Sequence, residues 1–118
     1  MTDKIVVLST CGSATEAEVI ARKLLERHLA ACVNVVAGVR SIYRWRGAIE
    51  EASECLLVIK SRRELFSQIR SEVEKLHSYE VPELLALTVT DGSPGYLSWL
   101  DLELGPEPES RSTPPVPE

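Results

Sequence analysis

Cysteine and histidine, the residues on which metal centres and disulfide scaffolds depend, are scarce in this chain. Its 118 residues include three cysteines and two histidines. The cysteines, Cys11, Cys32 and Cys55, are odd in number and none belongs to a Cys-x-x-Cys pair. Secreted disulfide scaffolds carry an even and denser set, so that class is excluded. We therefore expect reduced thiols and a cytoplasmic protein.

Long apolar runs are also lacking. No stretch approaches about 18 apolar residues, so we expect no transmembrane helix and no membrane partner. The N-terminal Met-Thr-Asp-Lys leads directly into a short apolar strand, without the charged leader and small-residue cleavage site of a signal peptide. We expect no signal peptide.

Positive charge is in deficit, with 13 Lys and Arg against 18 Asp and Glu and a net charge of -5. Non-specific binding of nucleic acid needs a basic face, so we expect no nucleic-acid partner. Cationic ligands or metal ions suit this balance better, although it is also ordinary for a globular domain. The 44% apolar share supports one domain with its own core.

Two of the few aromatic residues, Tyr43 and Trp45, lie near the turn of a long predicted hairpin. Residues 31–46 and 48–60 are rich in β-branched side chains and lack a helical period. A strand of about 13 residues is about 43 Å long, whereas a domain of about 100 residues is roughly 35 Å across. The hairpin tip must therefore be solvated or covered by another subunit, and the two aromatic rings favour the second.

Two Ser-x-x-Glu patterns, Ser13 to Glu16 and Ser61 to Glu64, predict capping boxes at helix starts. Apolar residues at helical spacing extend the first helix to about residue 28 and the second to about residue 76. Pro94 predicts the start of a short C-terminal helix.

Four strands are predicted, at residues 4–9, 31–46, 48–60 and 84–90, with a bulge or bend at Gly38. Cys32 and Cys55 lie in these strands and are expected to pack as small apolar residues. The order is that of an α+β, ferredoxin-like βαββαβ domain with both helices on one face of an antiparallel sheet. We assign residues 1–104 to this domain and the Pro-rich residues 105–118 to a flexible tail.

Several sequence blocks resemble those of the CutA divalent-cation tolerance family in order and spacing, across residues 4–104. The resemblance implies a homotrimer formed by pairing of sheet edges, non-enzymatic, cytoplasmic and active in tolerance of copper and other divalent metals. The resemblance also implies a protein that requires no cofactor and has clefts between its subunits, as in trimeric PII-type signalling proteins. The blocks are residues 29–34, residues 41–45 with Gly47 and Glu50, residues 79–84, residues 89–90 and residues 96–100.

His77 and Cys11 are the candidate metal ligands. His77 ends the second helix near several carboxylates, and an imidazole with carboxylates suits Cu(II), Zn or Ni. The alternative is a histidine favoured at a helix C-terminus by the dipole. The resemblance implies copper ligands at a cysteine ending the first strand and at two adjacent histidines. Here Ser9 and Leu76 occupy the first two of these positions, and Cys11 is a substitute from the following loop.

Aromatic and acidic residues from three segments form the predicted interface or cleft. Tyr43 and Trp45 point to one side of their strand and Arg44 and Arg46 to the other, which suits a subunit interface. Stacking on single-stranded nucleic acid is the alternative, which the acidic total disfavours. The remaining members, for which subunit packing and a small-ligand pocket are both open, are Glu50, Tyr79, Glu80, Glu83, Tyr96 and Trp99.

Three functions are compatible with these residues. The first is a trimeric protein of divalent-cation homeostasis with weak metal binding. The second is a PII-like sensor that binds a small molecule between subunits and signals to a partner. The third is a hydrolase using His77 with Glu80 or Glu83, but no nucleophile, base and orienting group are visible together, so we predict no enzymatic activity.

Overall fold

A computed structural model describes residues 1–105. Apart from Gly105, the predicted tail lies outside the described residues. Residues 1–105 form an α+β protein with a four-stranded antiparallel sheet and three helices. A 3-10 turn at Arg63–Leu65 precedes the second helix. The elements are β1 (Lys4–Cys11), α1 (Ala14–Glu26), β2 (Cys32–Trp45), β3 (Ala48–Arg62), α2 (Phe66–Leu76), β4 (Leu85–Thr88) and α3 (Pro94–Glu103).

The sheet has the strand order β2-β3-β1-β4, in which every neighbouring pair is antiparallel. Alternate residues of β1 and β3, such as Val7, Leu57 and Ile59, are fully buried beneath α1 and α2. The helices contribute an apolar stripe to the same core, including Leu24 and Ile69. Each such side chain stabilises the fold by about 1.5–3 kcal/mol through burial. This face of the sheet is closed.

The opposite face of the sheet, which we call the open face, carries a second group of apolar side chains. Val6 of β1 pairs with Leu87 of β4, and Leu8 pairs with Leu85. Leu85 and Leu87 are 57% and 52% exposed. Exposed apolar side chains of this size lie next to each other along β4, at alternate positions.

The hairpin of β2 and β3 accounts for the elongated shape, whose principal extents are 55 × 30 × 22 Å. Arg46 and Gly47 form its two-residue turn and both have positive φ, at 50° and 83°, as a type I′ turn requires. Gly38, at φ 76°, lies where the β2–β3 register shifts, so the predicted bulge is confirmed. Beyond the bulge, Tyr43 and Trp45 share the open face with Glu54, because cross-strand partners point to the same side.

The two capping boxes have different outcomes. Ser13 caps α1, since its hydroxyl accepts a hydrogen bond from the Glu16 N–H at 3.1 Å. The prediction for Ser61 is wrong, because β3 continues to Arg62 and α2 has no side-chain cap. Ser61 faces the core, where its hydroxyl donates to the Leu29 carbonyl at 2.6 Å. A buried hydroxyl satisfied in this way is unavailable to a helix start.

Helix α3 closes one end of the domain. Its Leu100 is buried, and Lys4 forms an ion pair with Asp101 at 2.9 Å. The His28 carbonyl accepts the Gly105 N–H at 2.8 Å, which fixes the chain after the helix. None of the helices within residues 1–105 is long and apolar enough to cross a bilayer.

Candidate functional site

A cleft of about 590 Å³ lies between the hairpin, the open face and the loop that joins α2 to β4. We call it the hairpin cleft. The structure brings several predicted interface residues together in its walls, namely Tyr43, Trp45, Tyr79, Glu80 and Glu83.

The other predicted members lie outside the cleft walls. Glu50 pairs with Tyr43 across the hairpin, one step from the cleft. Tyr96 and Trp99 stack on each other along α3, with ring centroids 5.7 Å apart. They form a separate, half-exposed aromatic pair.

The sequence predicted that the Arg46 side chain points to the other side of the strand from Trp45, and the structure differs. The Arg46 guanidinium lies over the Trp45 ring, 5.4 Å from the centroid. The reason is the turn, because strand alternation ends where Arg46 adopts a positive φ. The hairpin tip is therefore an aromatic ring with a cation above it.

The floor of the cleft is formed by a hydrogen bond between β3 and the α2–β4 loop. The Tyr79 hydroxyl donates to Glu54 Oε2 at 2.7 Å, and Glu54 is only 8% exposed. Burial raises the pKa of Tyr79, and the Glu54 carboxylate raises it further. The phenol therefore stays protonated and keeps its donor role throughout the physiological pH range.

His77 is buried beside the cleft and both of its ring nitrogens are engaged. Nε2 lies 2.7 Å from the Thr10 carbonyl, and Nδ1 lies 3.1 Å from the Tyr79 backbone nitrogen. A carbonyl only accepts and an N–H only donates, so these two contacts make Nε2 the donor and Nδ1 the acceptor. Glu16 accepts from the backbone N–H of Ser78 at 2.7 Å, which pins the same loop to α1.

Cys11 is the last residue of β1, whereas the sequence predicted it in the following loop. It is fully buried, and its thiol lies 3.7 Å from the Ser13 carbonyl oxygen. Burial, followed by the nearby Glu16 carboxylate, raises the pKa of Cys11 to about 11. Residues 1–105 contain no group of three or more His, Cys, Asp and Glu side chains placed to hold a metal ion. Ligation by His77 would require one of its two ring hydrogen bonds to open. Metal binding by these two residues stays a prediction.

Five residues of the cleft walls were not among the predicted site residues: Thr10, Ser41, Ile42, Glu54 and Val81. Thr10 lines the wall and its hydroxyl lies 3.4 Å from Glu83 Oε1. One signal was available for Glu54, which is a charged residue directly before an apolar strand run. Its position two residues before Leu56 places it on the open face by strand alternation.

Comparison with known proteins identifies the family. The sequence profile of the CutA1 divalent ion tolerance proteins matches residues 5–103, which include every residue of the cleft. The chain belongs to the CutA1 family. The resemblance expected from the sequence blocks is confirmed.

Curated CutA relatives come from bacteria, archaea, plants and animals. The divalent-cation tolerance protein CutA of Thermus thermophilus is 46% identical over 95 residues, which cover 80% of this chain and 92% of that protein. The Protein CutA homolog of Xenopus laevis is 47% identical over 91 residues, covering 77% of this chain. The matched part is 60% of the Xenopus protein and 51% of the mouse Protein CutA, so the chain spans only part of these animal relatives.

Solved CutA structures have the same fold. The Thermus thermophilus protein superposes with a TM-score of 0.85 at 44% identity, covering 86% of this chain and 99% of that one. CutA from Xylella fastidiosa gives a TM-score of 0.85 at 38% identity, with 88% and 100% covered. The hairpin and sheet described above are therefore those of the CutA fold.

The Tyr79–Glu54 hydrogen bond gives a first prediction for this CutA chain. Replacing Tyr79 with phenylalanine leaves the buried Glu54 carboxylate without its hydroxyl donor, so we expect a loss of about 1–3 kcal/mol in unfolding free energy. Urea denaturation at one protein concentration measures this loss. Tyr96→Phe is the matched control, since the Tyr96 hydroxyl makes no hydrogen bond to residues 1–105, and we expect a change within about 0.5 kcal/mol. Equal losses in both variants would contradict the role given to Glu54.

Proposed function

We propose that this CutA protein is a non-enzymatic, cytoplasmic homotrimer that acts in tolerance of divalent cations, including copper. The observation that carries the proposal is the family match across residues 5–103. The proposed site of action is the hairpin cleft, completed by a neighbouring subunit.

Assembly is supported by the surfaces that one chain leaves uncovered. The open face exposes Leu85 and Leu87, and the hairpin holds Tyr43 and Trp45 at 43% and 45% exposure. Burying these side chains against a second copy would remove apolar area from water at about 25 cal/mol per Å². Strands β2 and β4 are the sheet edges, and each can pair with another chain. The number three follows from the family resemblance.

A binding role rather than catalysis is supported by the chemistry of the cleft. The nitrogens of His77 are both used in structural hydrogen bonds, and the Cys11 thiol is buried. One carboxylate oxygen of Glu54 accepts a hydrogen bond from the Tyr79 hydroxyl. Within residues 1–105 these contacts leave no activated nucleophile with a base and an orienting group beside it.

Copper binding is expected to be weak, because residues 1–105 of one chain contain no three-ligand grouping. We expect a Cu(II) dissociation constant above about 1 µM, and at least a roughly tenfold weakening in His77→Ala if the imidazole is a ligand. Calorimetric titration of the folded proteins measures both. The matched control is His28→Asn, which removes the other imidazole and tolerates the positive φ of 56° at that position. Unaltered affinity in His77→Ala would remove His77 from the list of ligands.

A second candidate is a PII-like sensor that binds a small molecule in the hairpin cleft and signals to a partner. The cleft volume of about 590 Å³ lies within the usual range for small-ligand sites. Its walls contain Glu54, Glu80 and Glu83 with three aromatic rings, and among residues 1–105 the lining includes no Lys or Arg. Carboxylates and ring faces together favour an organic cation, such as a quaternary ammonium ion.

The sensor candidate predicts a charge requirement for the ligand. Choline should raise the melting temperature of the full chain, whereas 3,3-dimethylbutanol, its uncharged analogue of the same shape, should have no effect. Tyr43→Ala should reduce the choline effect, because it removes a ring face worth about 0.5–2 kcal/mol. Equal stabilisation by the charged and uncharged compounds would contradict this candidate.

A further inference from the structure

Two of the three cysteines lie directly opposite each other on β1 and β3, the two central strands of the sheet. Cys11 of β1 is the direct cross-strand partner of Cys55 of β3, and both thiols are free. Both side chains belong to the helix-covered face and are buried, at 0% and 7% exposure. Directly opposed residues in antiparallel strands have Cα atoms about 4.5–5.5 Å apart, within the 4.4–6.8 Å usual for a disulfide.

We propose that Cys11 and Cys55 are a redox modification site, at which exchange with a low-molecular-weight disulfide such as glutathione disulfide forms an intrachain bond between β1 and β3. The reduced pair is the state in the structure. The bond would form with little backbone movement, because the register already sets the two side chains opposite each other.

The exchange balances in two steps. One protein thiolate attacks glutathione disulfide, forms a mixed disulfide and releases the first glutathione. The second protein thiolate attacks the protein sulfur of that mixed disulfide and releases the second glutathione. The two cysteines are oxidised by two electrons, and their two protons end on the two released glutathione thiols.

Access to the buried pair comes from its position at the end of a strand ladder. Cys11↔Cys55 is the last rung between β1 and β3, and Gly12 follows directly. Beyond this rung β3 continues into the hairpin without a β1 partner. Ladder ends open locally at a lower free energy than the global unfolding, so reagents reach this rung before the rest of the core.

Cys32 is placed so that it cannot take part. It pairs with Lys60 on β3, on the open face of the sheet, whereas Cys11 and Cys55 lie on the helix-covered face. Lys60 lies five residues after Cys55, which is about 17 Å along the strand. Cys32 is therefore an internal control within the same chain.

The bond would lie directly beneath the hairpin cleft. Thr10 and Glu54 are the chain neighbours of the two cysteines, and both line the cleft. Because side chains alternate across a sheet, they enter the cleft from the face opposite the thiols. A covalent tie between Cys11 and Cys55 would fix the spacing of the two strands that carry these walls.

The test uses the full chain, held folded in glutathione disulfide or in reduced glutathione. Each sample is then unfolded in denaturant and alkylated, and its intact mass is measured by mass spectrometry. We expect one alkylatable thiol after oxidation instead of three. After the alkyl groups are subtracted, the oxidised chain should be about 2 Da lighter than the reduced chain, because two hydrogens are lost. Peptide mapping should show a Cys11–Cys55 link. Oxidised Cys32→Ser should have no alkylatable thiol.

The conservative variant Cys55→Val keeps the core filled but cannot form the internal bond, so in the same oxidant it should show no loss of about 2 Da, with Cys11 either a free thiol or a trapped glutathione mixed disulfide. The oxidised wild type should also melt about 5 °C or more above the reduced form, since a crosslink restricts the unfolded chain. Three alkylatable thiols in the oxidised wild type would overturn the proposal. So would a stable glutathione adduct without an internal bond, or a link that includes Cys32.

Discussion

Replacing Trp45 with alanine is expected to weaken self-association of this protein by at least about 30-fold, because a central aromatic residue of an interface carries 2 kcal/mol or more. Trp45 lies at the hairpin tip and is 45% exposed, and the Arg46 guanidinium lies above its ring. One chain therefore leaves much of a large apolar side chain in water. Sedimentation velocity over a range of micromolar concentrations measures the change.

Val19→Ala is the matched control for Trp45. Val19 is an apolar residue of α1 with 50% exposure, and it lies on the helical layer, away from the hairpin and the open face. We expect its self-association to equal that of the wild type. If Trp45→Ala and Val19→Ala associate equally well, the hairpin tip does not belong to the interface.

Replacing His77 with alanine is expected to lower the unfolding free energy by roughly 3 kcal/mol, one of the largest losses available outside the apolar core. The side chain is fully buried and its ring bonds the Thr10 carbonyl and the Tyr79 N–H. Deletion leaves both backbone groups unpaired, at about 1–3 kcal/mol for a buried group, and leaves a cavity. Chemical denaturation at fixed protein concentration measures the loss.

His28→Asn separates the structural role of His77 from a general effect of losing an imidazole. The His28 ring is exposed and lies 3.0 Å from the Glu103 carbonyl oxygen. We expect a loss below about 1 kcal/mol, as for most exposed positions. Comparable losses in His77→Ala and His28→Asn would mean that the buried ring does not hold the α2–β4 loop to β1.

Much of the fold was predictable because local sequence and tertiary structure agree. The apolar runs, the glycine at the bulge and Gly47 between the two strands all describe the hairpin that the structure contains, although Arg46 belongs to its turn and not to the predicted strand. The two Ser-x-x-Glu patterns show where local reasoning stops. Ser13 and Ser61 have the same short motif, but only the tertiary structure decides that Ser61 remains in a strand with its hydroxyl in the core.

The candidate site was predictable only in part. The aromatic hairpin residues and the Tyr79 to Glu83 segment have unusual composition and could be selected from the sequence. The contact between Glu54 and Tyr79 could not be predicted from the sequence. The two residues are 25 positions apart and meet only through the register of β3. The opposition of Cys11 and Cys55 depends on the same register, which a shift of one residue would remove.

The central claim is that the hairpin and the open face exist to bring copies of this chain together, so that the cleft is completed between subunits. Sedimentation equilibrium of the full chain at micromolar concentration tests it most directly. We expect a single species with three times the 13.1 kDa mass of one chain. A species with the mass of one chain throughout that concentration range would contradict it.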